Sequence, residues 1–264
     1  MNFLFVLDII LKRKGIIMSI DFSKDFVIEC RDNLELLNAQ GDETVHLIYS
    51  DVLYGTGKNF GDYIDLKPIR KEIEDFYIPR LREMYRVLKM GGTIYLQMDL
   101  RIIHWIRIIM DDIFGYENFR NEIIIKFNIG GRGKREFAKK HDSIIVYTKG
   151  DDYVFNADSI RVPYRSVISK SGLRPNITKE KLELGTIPTN VWDDIPSGLK
   201  VKKHTDYFSE KHPKILERII KCSSNVGDVV ADYFCGGGVT GADVAELVDA
   251  LVSGTSGSNV VGIS

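Results

Sequence analysis

The β-favouring run Val229 to Tyr233 leads into Asp232-Tyr-Phe-Cys-Gly-Gly-Gly-Val-Thr-Gly241, a glycine-rich turn that opens a helix near Thr240. No other segment restricts the architecture as much. Glycines there let the backbone approach a ligand closely, and a helix N-terminus attracts negative or polar groups. Such a strand–turn–helix step belongs to open α/β sheets, where ligands sit beyond the carboxyl ends of the strands. Taken alone, Gly236-x-Gly238-x-x-Gly241 also fits a dinucleotide fingerprint or a plain tight turn.

A second strand end carries an acid. Val45-His-Leu-Ile-Tyr49 reads as a buried strand, and Ser50-Asp51-Val52-Leu53-Tyr54 follows it into a polar, glycine-rich loop, Gly55 to Asp65. An acid and an aromatic at that position can grip a planar, amine-bearing ring; an acid there can equally cap a helix or sit in a loop. Ile69, Ile73, Phe76, Tyr77, Leu81, Met84 and Leu88 recur at helical spacing, with Gly91-Gly92 as the expected stop and Pro79 as an expected kink or break. Thr93 to Met98 reads as a strand, Ile102 to Phe114 as a helix closed by Gly115. Asn121 to Asn128 and Ser143 to Thr148 read as a hairpin around the basic loop Gly130 to Lys140. Pro213 to Ser224 reads as a helix with proline at its start. The alternation predicts an α/β fold: a Rossmann-like, doubly wound, mostly parallel sheet with an antiparallel hairpin edge and an inserted region over 150–205.

Composition excludes little. The 264 residues are 44% hydrophobic and 28% charged, which fits a folded domain, and a formal net charge of -1 neither requires nor excludes nucleic acid. What matters is local: Arg132, Lys134, Arg135, Lys139 and Lys140 form one basic cluster, and Lys200, Lys202 and Lys203 beside His204 form another. Either is a candidate phosphate-contacting surface or an ordinary solvated face. Cys30, Cys222 and Cys235 show no metal or disulfide spacing, and a cytoplasmic location is the plain reading. Phe3 to Ile10 is interrupted by Asp8 and followed, not preceded, by Lys12-Arg13-Lys14. It therefore fits neither a membrane span, which needs roughly 20 apolar residues, nor a signal peptide. Residues 1–17 read as an upstream extension from a misassigned start or as a short packed helix.

Taken together and in order, these segments resemble the DNA N6-adenine/N4-cytosine methyltransferases, in the group whose catalytic motif precedes the motif for S-adenosylmethionine (AdoMet). Asp51-Val-Leu-Tyr54 stands where that family has Asp-Pro-Pro-Tyr, and Asp232-Tyr-Phe-Cys-Gly-Gly-Gly238 where it has Asp-Pro-Phe-x-Gly-Ser-Gly. Cys30-Arg-Asp32, Arg86-Val-Leu-Lys-Met-Gly-Gly92, His141-Asp-Ser-Ile-Ile-Val-Tyr-Thr-Lys149, Val191-Trp-Asp-Asp-Ile-Pro196 and Ser209-Glu-Lys211 are similar to further family segments. The motifs carry the resemblance together and in order; none does so singly.

The resemblance implies a catalytic half over 18–149, a target-recognition insertion over 150–205 and an AdoMet-binding half over 206–264. It implies that Asp51 and the backbone carbonyl of Val52 accept the two hydrogens of a flipped-out amino group, with Tyr54 stacking on the base. Asp232, Phe234, Gly236, Gly238, Lys211 and Asp32 are the implied AdoMet residues. The implied partners are double-stranded DNA, a cognate restriction endonuclease and a second copy of the chain. Aspartate at position 51 favours adenine N6; the cytosine-N4 enzymes more often carry serine there.

The departures are specific. Val52-Leu53 replaces two prolines, Tyr233 a proline and Gly237 a serine, and the run Asn259 to Ile263 ends at Ser264 where the family has an acid for the AdoMet ribose. Ala245 to Gly262 also reads like a translated transfer-RNA gene, or as a small-residue helix, turn and strand. A weakened cofactor pocket follows from these departures, and the rival reading is an inactive remnant that keeps only DNA binding. A nicotinamide dehydrogenase is a third, needing an acid roughly 20 residues past the glycines.

Overall fold

The computed structural model describes residues 2–7, 26–30, 32–60, 64–127, 133–164, 168–169, 172–173, 178–195 and 211–234. Its strands are β1 (Asn2–Leu7), β2 (Phe26–Cys30), β3 (Val45–Asp51), β4 (Leu88–Met98), β5 (Phe119–Lys126), β6 (His141–Thr148), β7 (Ile168–Ser169), β8 (Gly172–Leu173), β9 (Val191–Trp192) and β10 (Val229–Asp232). Its helices are α1 (Asn33–Ala39), α2 (Arg70–Val87), α3 (Ile103–Phe114), α4 (Lys179–Leu184) and α5 (Pro213–Ser223). Eight strands form one sheet in the order β2-β1-β10-β3-β4-β6-β5-β9, with β7 and β8 as a separate small pair.

The pairing follows the expected plan. β2, β1, β10, β3 and β4 run parallel, and β6 pairs antiparallel with both β4 and β5. The hairpin is not quite the edge, because β9 adds outside it, parallel to β5.

Period-two patterning explains why both faces are covered. Ile48, Ile94, Leu96, Ile145 and Tyr147 point to a core that also takes Leu36 and Leu37 of α1, Ile73, Leu81 and Met84 of α2, and Ile106 of α3. Leu47, Tyr49, Tyr95, Ile144, Val146 and Val230 belong to a second core, closed by Ile215, Leu216, Ile219 and Ile220 of α5. Each aliphatic side chain so buried contributes about 1.5–3 kcal/mol. Four of them hold α5, whose start is set by Pro213 and by His212 accepting from the Lys214 amide.

Three expectations change. Asn2–Leu7 is a strand rather than a helix: its Phe- and Val-rich run pairs in parallel between β2 and β10. Pro79 lies inside α2 without ending it. Gly91-Gly92 does not stop that helix either, because both glycines lie within β4, which starts directly after Val87. At Gly91 the backbone is left-handed (φ 76°) and a Cβ would fall 2.3 Å from the Asp152 carbonyl oxygen. Glycine serves there to let two segments pass, not to break a helix.

Candidate active site

Two neighbouring parallel strands, β3 and β10, end in aspartates at the same edge of the sheet, Asp51 and Asp232. The loop after Asp51 lacks the prolines of the family pattern, yet it is tied from three directions. The Val52 amide donates to the Gln97 carbonyl (3.1 Å), and the Val52 side chain is buried. The Tyr77 hydroxyl donates to the Leu53 carbonyl (2.7 Å). The buried Asp65 carboxylate accepts from the Gly55 and Thr56 amides and from the Thr56 hydroxyl, at 3.1, 2.7 and 2.5 Å. Position 55 requires glycine, because φ there is left-handed at 65° and a Cβ would meet Ile102 at 2.5 Å. The turn that proline rings would have stiffened is thus fixed by hydrogen bonds to the surrounding elements.

Around Asp51 the structure assembles a cluster that no single motif spells out. The Tyr54 hydroxyl lies 2.8 Å from Asp51 Oδ1 and 2.7 Å from Asp142 Oδ2. Lys211 Nζ donates to that hydroxyl (2.5 Å) and to Asp142 Oδ2 (3.2 Å), and sits 3.5 Å from Asp51 Oδ1. Gln97 Nε2 also donates to Asp142 Oδ2 (3.1 Å), and its own Oε1 accepts from the Tyr49 hydroxyl (2.9 Å). Burial raises the Asp51 pKa to about 6; the Lys211 charge offsets part of that and Asp142 adds to it. Burial alone would lower the Lys211 pKa, but Asp51 and Asp142 more than reverse this and leave it raised. Burial, with both carboxylates nearby, pushes the Tyr54 phenol well above its ordinary value.

Asp232 stands differently. Its Oδ1 accepts from the Phe234 amide (2.9 Å), while Oδ2 is buried and makes no hydrogen bond of sound geometry among the described residues. Burial raises its pKa to about 8, with Asp51 raising it further, while the Phe234 amide and the nearby Ser50 hydroxyl lower it. A positive hydrogen-bond donor beside Oδ2 would favour the ionised form of this carboxyl and match its second oxygen.

The other expected site residues divide clearly. Phe234 is buried against Phe76 and Tyr77, ring centroids 6.3 Å away in both cases. Asp32 caps α1 through the Leu34 amide (2.7 Å) and pairs with Arg80 (2.9 Å). Arg80 also donates to Asn33, whose amide donates to the Tyr233 carbonyl, so Asp32 is linked to the turn after Asp232. Lys134, Arg135 and Lys139 are exposed on the loop before β6 and Lys140 is half-buried. Gly236, Gly238, Arg132, Lys200, Lys202 and Lys203 lie outside the described residues.

Sequence reading misses Asp142, Gln97, Asp65 and Arg80. A signal does exist for two of them. Asp142 heads the apolar run of β6 and Gln97 interrupts that of β4, and buried strands rarely carry such groups without a partner.

A family model for N6/N4-type DNA methylases matches residues 45–253. The chain is 33% identical over 211 residues to the Type II methyltransferase M.HpaI of Haemophilus parainfluenzae, covering 79% of this chain and 63% of that protein. It is 28% identical over 208 residues to the DNA adenine methyltransferase YhdJ of Escherichia coli K12, covering 76% of this chain and 68% of that one. The chain thus spans less than two thirds of the length of M.HpaI. In fold it is similar to the cytosine-N4-specific PvuII DNA methyltransferase, with a TM-score of 0.56 at 15% identity, covering 81% of this chain and 76% of that one. A Thermus thermophilus protein described as a DNA modification methylase, solved with S-adenosyl-L-methionine, gives 0.52 at 22% identity, with 82% of both chains covered. With the family model matching residues 45–253 of 264, the chain belongs to the N6/N4 DNA methylase family.

Proposed function

We propose that this chain methylates the exocyclic N6 of adenine in double-stranded DNA with AdoMet as donor, as the modification enzyme of a restriction–modification system. One observation carries the reading: two aspartates at adjacent strand ends, the buried Asp232 with an unmatched oxygen and the half-buried Asp51 basic enough to take a proton. Asp232 fits the α-ammonium of AdoMet, which supplies both the missing donor and the missing charge, and Phe234, Gly236, Gly238 and Asp32 would complete the pocket. When bound, AdoMet supplies an electrophilic methyl group.

The chain's own work is on the base. An adenine amino group is a poor nucleophile because its lone pair is delocalised into the ring. Asp51 and the Val52 carbonyl accept its two hydrogens, which redirects the lone pair, and Asp51 then takes the proton. With a pKa of about 6, Asp51 is ionised at neutral pH and still a competent base. The Lys211 ammonium, 4.7 Å from the Tyr54 ring centroid, is held at the hydroxyl end of the ring by its 2.5 Å hydrogen bond, and the base would stack on the ring face. Such stacking contributes roughly 1–3 kcal/mol. Aspartate rather than serine at position 51 supports adenine over cytosine, and the names of M.HpaI and of the Type II methyltransferase M.BamHI of Bacillus amyloliquefaciens support the restriction–modification setting. Unmethylated DNA treated with the chain and AdoMet, then hydrolysed to nucleosides, will contain N6-methyladenine by mass spectrometry. N4-methylcytosine instead would overturn the choice of base, and neither product would overturn the activity.

The loop before β6 supplies a candidate DNA surface, because Phe137 is 98% exposed between Arg135 and Lys139. Replacing Lys134, Arg135 and Lys139 with alanine is expected to lower the salt slope of DNA binding by about 2–3, roughly 0.9 for each phosphate no longer neutralised. Phe137→Ala should weaken binding by about 1–3 kcal/mol, the worth of one stacked base, with the slope unchanged. Fluorescence anisotropy over a salt series reads both. A triple variant with the parental slope would remove the loop from the DNA-binding surface.

A further inference from the structure

We propose that Asp142 is a positioning residue for methyl transfer: it accepts the Tyr54 hydroxyl hydrogen bond and holds the nearer contact with the Lys211 ammonium, so that Asp51 faces the base as the free carboxylate. The inference rests on the function proposed above and gives Asp142 a role in it.

Tyr54 has one hydroxyl proton and two carboxylates within reach, at 2.8 Å (Asp51) and 2.7 Å (Asp142). It can donate to only one of them, because it has a single proton, and its oxygen accepts from Lys211. The surroundings decide which. Asp142 Oδ2 also collects Gln97 and Lys211, and the lysine is nearer to Asp142 (3.2 Å) than to Asp51 (3.5 Å). Gln97 cannot easily turn its carbonyl toward Asp142, because the Tyr49 hydroxyl holds that oxygen. Tyr49, Gln97 and Asp142 are all buried, and the register sets Gln97 beside Asp51 on β3. The two carboxylates also differ in access: the Asp142 side chain is 5% exposed and that of Asp51 22%. One is enclosed among donors and the other is open to a substrate, and none of the described hydrogen bonds ends on Asp51 Oδ2. Paired carboxylates with unlike surroundings are how one site keeps one acid committed and the other available.

The groups facing Asp51 are Lys211 ahead of α5, Asp142 of β6, Tyr54 of the following loop, Asp232 of β10 and Tyr49 of its own strand. Asp142→Asn removes a neighbouring negative charge and leaves Lys211 to Asp51 alone, and both changes lower the Asp51 pKa. Asp51 acts ionised, so the acid limb of the pH–rate profile should move down by about one unit. The single-turnover rate at saturating AdoMet should fall at least about tenfold, because Asp51 becomes a weaker and lysine-bound base, with AdoMet affinity within about threefold. Asp142→Glu keeps the charge and should return the limb toward its parental position.

Carbon-13 NMR of the aspartate carboxyls, with the Asp51 signal assigned from Asp51→Asn, reads the same shift without turnover. Titration of Asp51 near 6 in the parent and lower in Asp142→Asn supports the proposal. An unmoved or upward-moving Asp51 titration overturns it, whatever the rate does. A parent chain that transfers no methyl would count against the proposed function, while the carboxyl titration would still decide the role of Asp142. Should Asp142→Asn fail to fold, Asp142→Glu carries the test: an Asp51 titration far from the parental one would overturn the proposal.

Discussion

Exchanging Asp232 for asparagine is expected to stabilise the ligand-free protein at pH 8.5 and, in the same variant, to weaken AdoMet binding at least about 100-fold. The two effects have one cause. The carboxylate is 2% exposed, and burial lifts its pKa to about 8, far above the roughly 3.9 of an unfolded chain. Between those values the folded state binds the proton and the unfolded state does not, so stability falls as pH rises from about 4 and levels off above about 8. At pH 8.5 the parent carries most of the cost of an ionised carboxylate with one oxygen unmatched. The asparagine variant carries only the smaller cost of an ill-paired amide, about 1–3 kcal/mol. The net gain is on the order of a few kcal/mol at pH 8.5, and near pH 5 it should be largely gone. The lost affinity is that of a charge-assisted hydrogen bond in a dry site. Urea melts at both pH values and AdoMet calorimetry check the two halves. A variant no more stable than the parent at pH 8.5, or one that keeps parental AdoMet affinity, would show that Asp232 is not held in readiness for a cation.

Asp51→Ala is expected to lower methyl transfer at least about 1,000-fold, with AdoMet affinity within about threefold and the fold intact. A positioned base contributes about 10²–10⁴, and a carboxylate beside a developing positive charge adds an electrostatic share that a neutral group cannot supply. Asp51→Asn should therefore fail nearly as badly, although it preserves shape. The fold survives because the ties of the loop run through Val52, Leu53, Gly55 and Thr56 rather than through the Asp51 carboxylate. Lys211 keeps Asp142 and Tyr54 as partners in either variant. In the parent, the rate should rise with pH up to about 6 and flatten above, as Asp51 ionises.

The positions of Asp51 and Asp232 are legible because each closes a β-rich run, and a strand end is a local pattern. The parallel sheet, the hairpin and helices α2, α3 and α5 follow from periods of two and 3.6 in the same way. What stays hidden depends on contacts between distant segments. Asp142 meets Tyr54 across 88 positions and Lys211 across 69, and Arg80 reaches Asn33 across 47. No window of sequence displays such pairs. Asn2–Leu7 eludes a local reading for a related reason: its six residues acquire strand character from β2 and β10 on either side. The Val52-Leu53 departure suggests a slack turn, since proline stiffness is local and visible, whereas the anchors at Gln97, Asp65 and Tyr77 come from elsewhere in the fold.

Methyl transfer through Asp51 is tested most directly by a single-turnover assay in which excess chain, saturated with methyl-tritiated AdoMet, meets unmethylated double-stranded DNA. Parent and Asp51→Ala run side by side, with the AdoMet occupancy of each measured by calorimetry. Label in N6-methyladenine is expected with the parent, on an acid limb near pH 6. With the variant at equal occupancy, the rate should be at most about one thousandth of that. Transfer by Asp51→Ala at the parental rate, or no label in DNA from a parent shown to be saturated, would contradict this assignment.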